Sequence, residues 1–171
     1  MSGFELGGLL SRSMAMDEKT WRRHANPWSV WTRVPILPLL ALAIFSRTWI
    51  GWWCLVPIAL LVAWTFVNPR AFPPPAHARS WSARGTMGER IWLARREVPI
   101  PRHHERALRP LMGAIAVGVA ILAYGLWALD GWATTAGTVL ALGAKMWFVD
   151  RMAWLFDEMS ATHPHHAAWR P

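Results

Sequence analysis

Leu111-Met112-Gly113-Ala114-Ile115-Ala116-Val117-Gly118-Val119-Ala120-Ile121-Leu122-Ala123-Tyr124-Gly125-Leu126-Trp127-Ala128-Leu129 is an apolar run of 19 residues, closed by Asp130 and followed at once by a second run over residues 132–149. At 1.5 Å per residue, 19 helical residues rise about 28 Å, the thickness of a hydrocarbon core near 30 Å. The pattern also occurs upstream, where residues 34–45 and 49–67 flank a short turn containing Arg47. Two apolar hairpins of this kind predict an all-α integral membrane protein with four transmembrane helices. Residues 34–45 are the weak member at about 18 Å. They span only if the helix begins near Trp28 and Arg33 snorkels towards the headgroups; a re-entrant segment is the alternative.

Composition supports this reading. The 171 residues are 54% hydrophobic and only 16% charged, against roughly 25% charged in soluble domains. The net charge of +8 would suit nucleic acid, but the arginines flank apolar runs, as the positive-inside rule requires of cytoplasmic segments. Lys19, Arg22, Arg23 and Arg33 precede the first run, and residues 69–110 hold nine arginines against three glutamates. Both termini and the middle segment are therefore expected in the cytoplasm of a bacterial inner membrane, with lipid or a membrane complex as partner and no nucleic acid. Trp49, Trp52, Trp53, Trp127 and Trp132 cluster at the two outer turns, and Trp28, Trp31, Trp64, Trp147 and Trp154 at the opposite ends, the placement of interfacial aromatic belts. Residues 3–10 are short, contain Glu5 and lack a preceding basic stretch, so they do not read as a signal peptide.

The domain plan is then a cytoplasmic N-terminal segment (1–27), a first hairpin (28–67), a basic loop with an amphipathic helix (68–109), a second hairpin with a helical extension (110–159) and a tail (160–171). Asn68-Pro69 is expected to end the second span. Thr86 and Glu89 fit a capping box, predicting an interfacial helix over residues 87–97 with Met87, Ile91, Ala94 and Val98 on its apolar face. Ile91 and Trp92 would reach the acyl boundary, with the arginines at phosphate level. The spacing of Ala116, Ala120 and Ala123, and of Ala133, Gly137, Ala141 and Ala144, predicts a small-residue seam between the last two spans. Beyond the membrane, Asp150, Arg151, Asp157 and Glu158 predict a solvated, salt-bridged helix.

The segments Trp21-Arg22-Arg23-His24-Ala25-Asn26-Pro27-Trp28-Ser29-Val30-Trp31-Thr32-Arg33, Asn68-Pro69-Arg70-Ala71-Phe72-Pro73-Pro74-Pro75 and Met146-Trp147-Phe148-Val149-Asp150-Arg151-Met152 resemble a family of small prokaryotic four-span membrane proteins catalogued as a domain of unknown function. The resemblance covers residues 17–159 and implies no activity.

Site chemistry is sparse. Cys54 is the sole cysteine, which rules out a redox pair or thiolate cage. No histidine lies within an apolar run, so a transmembrane bis-histidine haem is not expected. Lys145, about one turn from the end of its run, is read as snorkelling, and without charge at depth a coupled transporter is not expected. No phosphate-binding loop occurs. Arg22, Arg23, His24, Asn26, Arg90, Arg95 and Arg96 are the residues expected to meet lipid or a partner, although Asn26-Pro27 also suits a helix cap. Seven histidines leave one alternative: a metal-dependent enzyme on a lipid-like substrate, with His24, His103, His104 and Asp150 as ligands and the 22–24 and 103–104 segments facing each other. Asp150 and Asp157, seven apart, would otherwise be a carboxylate pair. No cofactor is required by the sequence, and the leading expectation is a non-enzymatic accessory or scaffold subunit.

Overall fold

A computed structural model describes residues 18–75 and 79–162. The readings placed on residues 1–17, on His77 and on His163, His165 and His166 of the tail lie outside the described residues. Every regular element among the described residues is helical: α1 (Glu18–His24), α2 (Pro27–Trp31), α3 (Ile36–Phe45), α4 (Arg47–Ile50), a 3-10 turn (Gly51–Cys54), α5 (Leu55–Ala71), α6 (Trp81–Leu93), α7 (Arg102–Ala128) and α8 (Gly131–Thr162). Two helical stretches, Pro27–Ala71 and Arg102–Ala128, are long and apolar enough to cross a membrane. Trp49, Trp52, Trp53, Trp127 and Trp132 are all exposed at the turns, as the belt reading requires.

The α7–α8 hairpin is the most closely packed pair. A Cβ on Gly118 would meet the Ala141 backbone at 2.5 Å, and one on Gly137 would meet the Leu122 backbone at 2.3 Å. Only a hydrogen fits at either place, so the helices touch main chain to main chain. On α8 the expected seam is present: Gly137, Ala141 and Ala144 are buried. On α7 the expectation fails. Ala116, Ala120 and Ala123 face outward, and Gly118, Leu122 and Gly125 form the contact. The reason is steric: contact with α8 is closer than any side chain permits, so glycines seven apart outcompete the alanine stripe.

Asn68-Pro69 does not end α5, which continues to Ala71. Asn68 is fully buried. Its Oδ1 accepts from Ser29 Oγ at 2.7 Å, and its Nδ2 donates to Thr32 Oγ1 at 2.8 Å. This side-chain network ties the last turn of α5 to α2 and holds the helix through the proline. The first run is likewise not one helix from Trp28: it breaks between Trp31 and Ile36, and Arg33 turns inward rather than snorkelling.

The main hydrophobic core lies mostly beyond the apolar runs. Ala25, Ala83, Met87, Ile91, Ile100, Leu108, Phe148, Met152, Leu155, Phe156 and Met159 form one cluster, joining α1, α6, the start of α7 and the end of α8. The extension of α8 is therefore not solvated along its length; its apolar face is the floor of this cluster. The middle helix also differs from expectation. It starts after Ser80, whose Oγ accepts from Ala83 N, because Ser80 offers a cap nearly two turns before Thr86. Thr86 is interior, and its hydroxyl donates to Ser82 O. The helix ends at Leu93, and its apolar face packs on α8: Ile91 is 1% exposed, so it meets Met152 and its neighbours instead of acyl chains. Gly85 and Gly88 permit this contact. A Cβ on Gly88 would lie 1.8 Å from Met152 O.

Candidate functional site

Where α2, α3, α6 and α8 converge, three charged side chains meet. Lys145 Nζ donates to Glu89 Oε1. Arg33 donates from Nε to Ser29 O at 2.8 Å, and its Nη1 contacts His24 Nε2. Arg33, Glu89 and Lys145 line a pocket of about 210 Å³ whose other walls include Val30, Val34, Leu37, Leu142 and Met146. Farther along the same α3–α8 seam, Pro38, Ala41, Leu42 and Phe45 face Thr134, Thr138 and Val139 across an apolar groove of about 400 Å³. The seam is thus polar and net positive at one end and apolar along the rest.

Electrostatics fix the charge states. Burial opposes ionisation of Glu89, but Lys145 and then Arg33 outweigh it and hold the carboxyl below its ordinary range. His24 is 6% exposed; burial, reinforced by the Arg33 charge, pushes its pKa down to about 3. His24 is therefore neutral at pH 7. With Nε2 accepting from Arg33, the proton sits on Nδ1, which is buried and has no hydrogen-bond partner among the described residues.

A second polar cluster lies where α7 begins and α8 ends. His103 Nε2 and His104 Nε2 lie 3.0 and 2.9 Å from the same Glu158 Oε2, and the three donor atoms fall within 4.8 Å of one another. Burial opposes the charge of Glu158, yet the hydrogen bond from His104 and the field of His103 overcome it and lower its pKa.

The expected ligand set is not assembled. His24 is held by Arg33, Asp150 accepts from Trp81 Nε1 at 2.8 Å, and Glu158 joins His103 and His104. Nor do Asp150 and Asp157 act as a pair, since Asp157 binds Arg84 at 2.6 Å. Both acids are used to dock α6 onto α8. Among the residues expected to meet lipid, Asn26 caps α2 by accepting from Trp28 N at 2.9 Å, while its Nδ2 donates to Pro73 O. Arg23 donates to Phe72 O, so with Asn26 it fastens α1–α2 to the segment after α5. Arg95 lies over the Trp92 ring at 3.8 Å. Arg22 and Arg96 are exposed, and Arg90 is half-buried on α6.

Residues 7–170 match the family of unknown function DUF6653. The chain belongs to this family. No curated protein and no solved structure matches it significantly. The DUF6653 match takes in both hairpins, α6 and both polar clusters, so these are parts of the family's own domain rather than appendages. Sequence reasoning missed Glu89 and Glu158 as site residues and read Lys145 as a snorkelling cation. One signal was present: Lys145 is the sole charge in the 132–149 run, and an acid on another element is the partner such a cation needs.

Proposed function

We propose that the chain is a non-enzymatic inner-membrane protein with four transmembrane helices in two hairpins and both termini in the cytoplasm, serving as an accessory or scaffold subunit that holds an anionic lipid or a membrane partner. The α3 helix rises only about 15 Å, so α2 and α4 complete the first crossing. The observation that carries the reading is the α3–α8 seam. Arg33 and Lys145 against one Glu89 leave a net positive charge at its head, and the apolar groove of about 400 Å³ lies beyond it. An anionic head group would sit beside Arg33 and Lys145 where the apolar runs end, and its chain would lie along Leu42, Phe45 and Val139. The surrounding core of α1, α6 and α8 gives this face the rigidity a scaffold requires.

Native mass spectrometry from mild detergent tests the proposal. A retained anionic lipid or stoichiometric partner is expected, and Lys145→Met, which removes the net positive charge and leaves Glu89 facing Arg33, should lower lipid retention at least several-fold. A bare monomer under all mild conditions would refute it.

A further inference from the structure

We propose that His103, His104 and Glu158 form a binding site for one first-row divalent cation of the zinc class, which links the start of α7 to the end of α8. The donor set is two imidazole nitrogens and one carboxylate oxygen, the composition of His₂Glu zinc centres and of two-histidine, one-carboxylate iron centres. The geometry is close to what a metal imposes. With metal–donor bonds of 2.0–2.2 Å, tetrahedral ligands stand about 3.3 Å apart. Here the two nitrogens lie 3.0 and 2.9 Å from one Glu158 oxygen, and all three donor atoms lie within 4.8 Å of one another, so side-chain rotations alone bring them onto one ion.

Burial is graded across the site. The side chains of His104, Glu158 and His103 are 5%, 40% and 65% exposed. The buried side is fixed by packing: Met159, beside Glu158, is 1% exposed, and Leu108, one turn from His104, is fully buried. The exposed side leaves room for water as a fourth ligand. A cation binds imidazoles only in their proton-free form, so the ligand set that holds it contributes the single negative charge of Glu158, within a chain that is otherwise strongly basic. Because the ligands come from residues 54 and 55 positions apart, a bound ion would close the cytoplasmic end of the hairpin, whose other end is closed by the Asp130 turn.

This site is separate from the α3–α8 seam, and its test is independent of the lipid reading. The full chain, purified without a polyhistidine tag and stripped with chelator, is titrated with Zn²⁺ by calorimetry and with Co²⁺ by visible absorption. The expected result is one ion per chain, with d–d bands of a four- or five-coordinate Co²⁺ centre. Glu158→Gln and His104→Asn should each weaken binding at least tenfold, whereas His24→Asn and Asp150→Asn should leave it unchanged. Circular dichroism and gel filtration check that each variant folds; Glu158→Gln, at a part-exposed position, keeps the test valid if His104→Asn does not fold. Wild-type affinity in Glu158→Gln, or loss of binding in a His163→Ala/His165→Ala/His166→Ala variant, would overturn the proposal.

Discussion

Replacing Gly88 by alanine sets two effects of opposite sign against each other. Alanine in a helix interior is favoured over glycine by about 1 kcal/mol, so propensity alone predicts a more stable α6. The structure predicts the reverse. The new Cβ would lie 1.8 Å from Met152 O and 2.5 Å from Met152 C, and ordinary contact begins at 3.4 Å. The helix must therefore move by about 1.6 Å at its crossing with α8, because the obstacle is main chain and cannot rotate aside. A shift of that size breaks the Lys145–Glu89 contact and strains the Trp81–Asp150 and Arg84–Asp157 bonds. Overpacking costs typically 1–3 kcal/mol, and the upper end applies to a backbone clash. After the propensity gain, α6 should lose about 2 kcal/mol of docking energy. If α6 opens as a local unit, its amides should then exchange roughly 30-fold faster. Hydrogen-exchange mass spectrometry of peptides covering residues 81–93, in nanodiscs, measures this directly. Gly143→Ala is the control, since nothing lies within 4 Å of its Cβ and only propensity acts. Exchange in Gly88→Ala that is equal to or slower than wild type would refute the packing argument.

Asn68→Ala leaves Ser29 Oγ without the acceptor it uses and removes the donor to Thr32, so a loss of about 1–3 kcal/mol is expected, read as a lower unfolding midpoint in detergent. Asn26→Ala removes a helix cap and should cost about 1 kcal/mol by the same measurement. His24 binds a proton in the unfolded chain below pH 6.5 but in the folded protein only near pH 3. Stability from this group is therefore complete above pH 6.5 and lost on acidification towards pH 3. At pH 5 the loss is on the order of 2 kcal/mol, and His24→Asn should show a flatter unfolding profile between pH 7 and 5. Gly118→Val places a branched side chain against the Ala141 backbone and should separate α7 from α8, detected as faster exchange in both helices.

The apolar runs were legible from composition alone, because a residue's preference for hydrocarbon is a property of that residue and needs no neighbour. For the same reason the helical class, the tryptophan positions and the Asn26 cap with Pro27 behind it could be read directly. Residues 132–149 were also read correctly as half of a helix extending beyond the run. Contacts that depend on two elements were not legible. The alanines of α7 have the right spacing for a seam, yet Gly118 and Gly125 form it, and only the distance to α8 decides between the two stripes. Thr86 and Glu89 fit a capping pattern, but Ser80 starts the helix and Glu89 is drawn to Lys145, 56 residues away. The arginine-rich middle segment read as a membrane-surface layer because its apolar positions were visible and their partner was not. That partner is the extension of α8, whose Met152, Leu155 and Phe156 cover α6. Composition determined where this chain places its long apolar helices. The tertiary structure decided which of its charges would be paired, because the partner of a charge is chosen by long-range packing geometry, which sequence spacing does not carry.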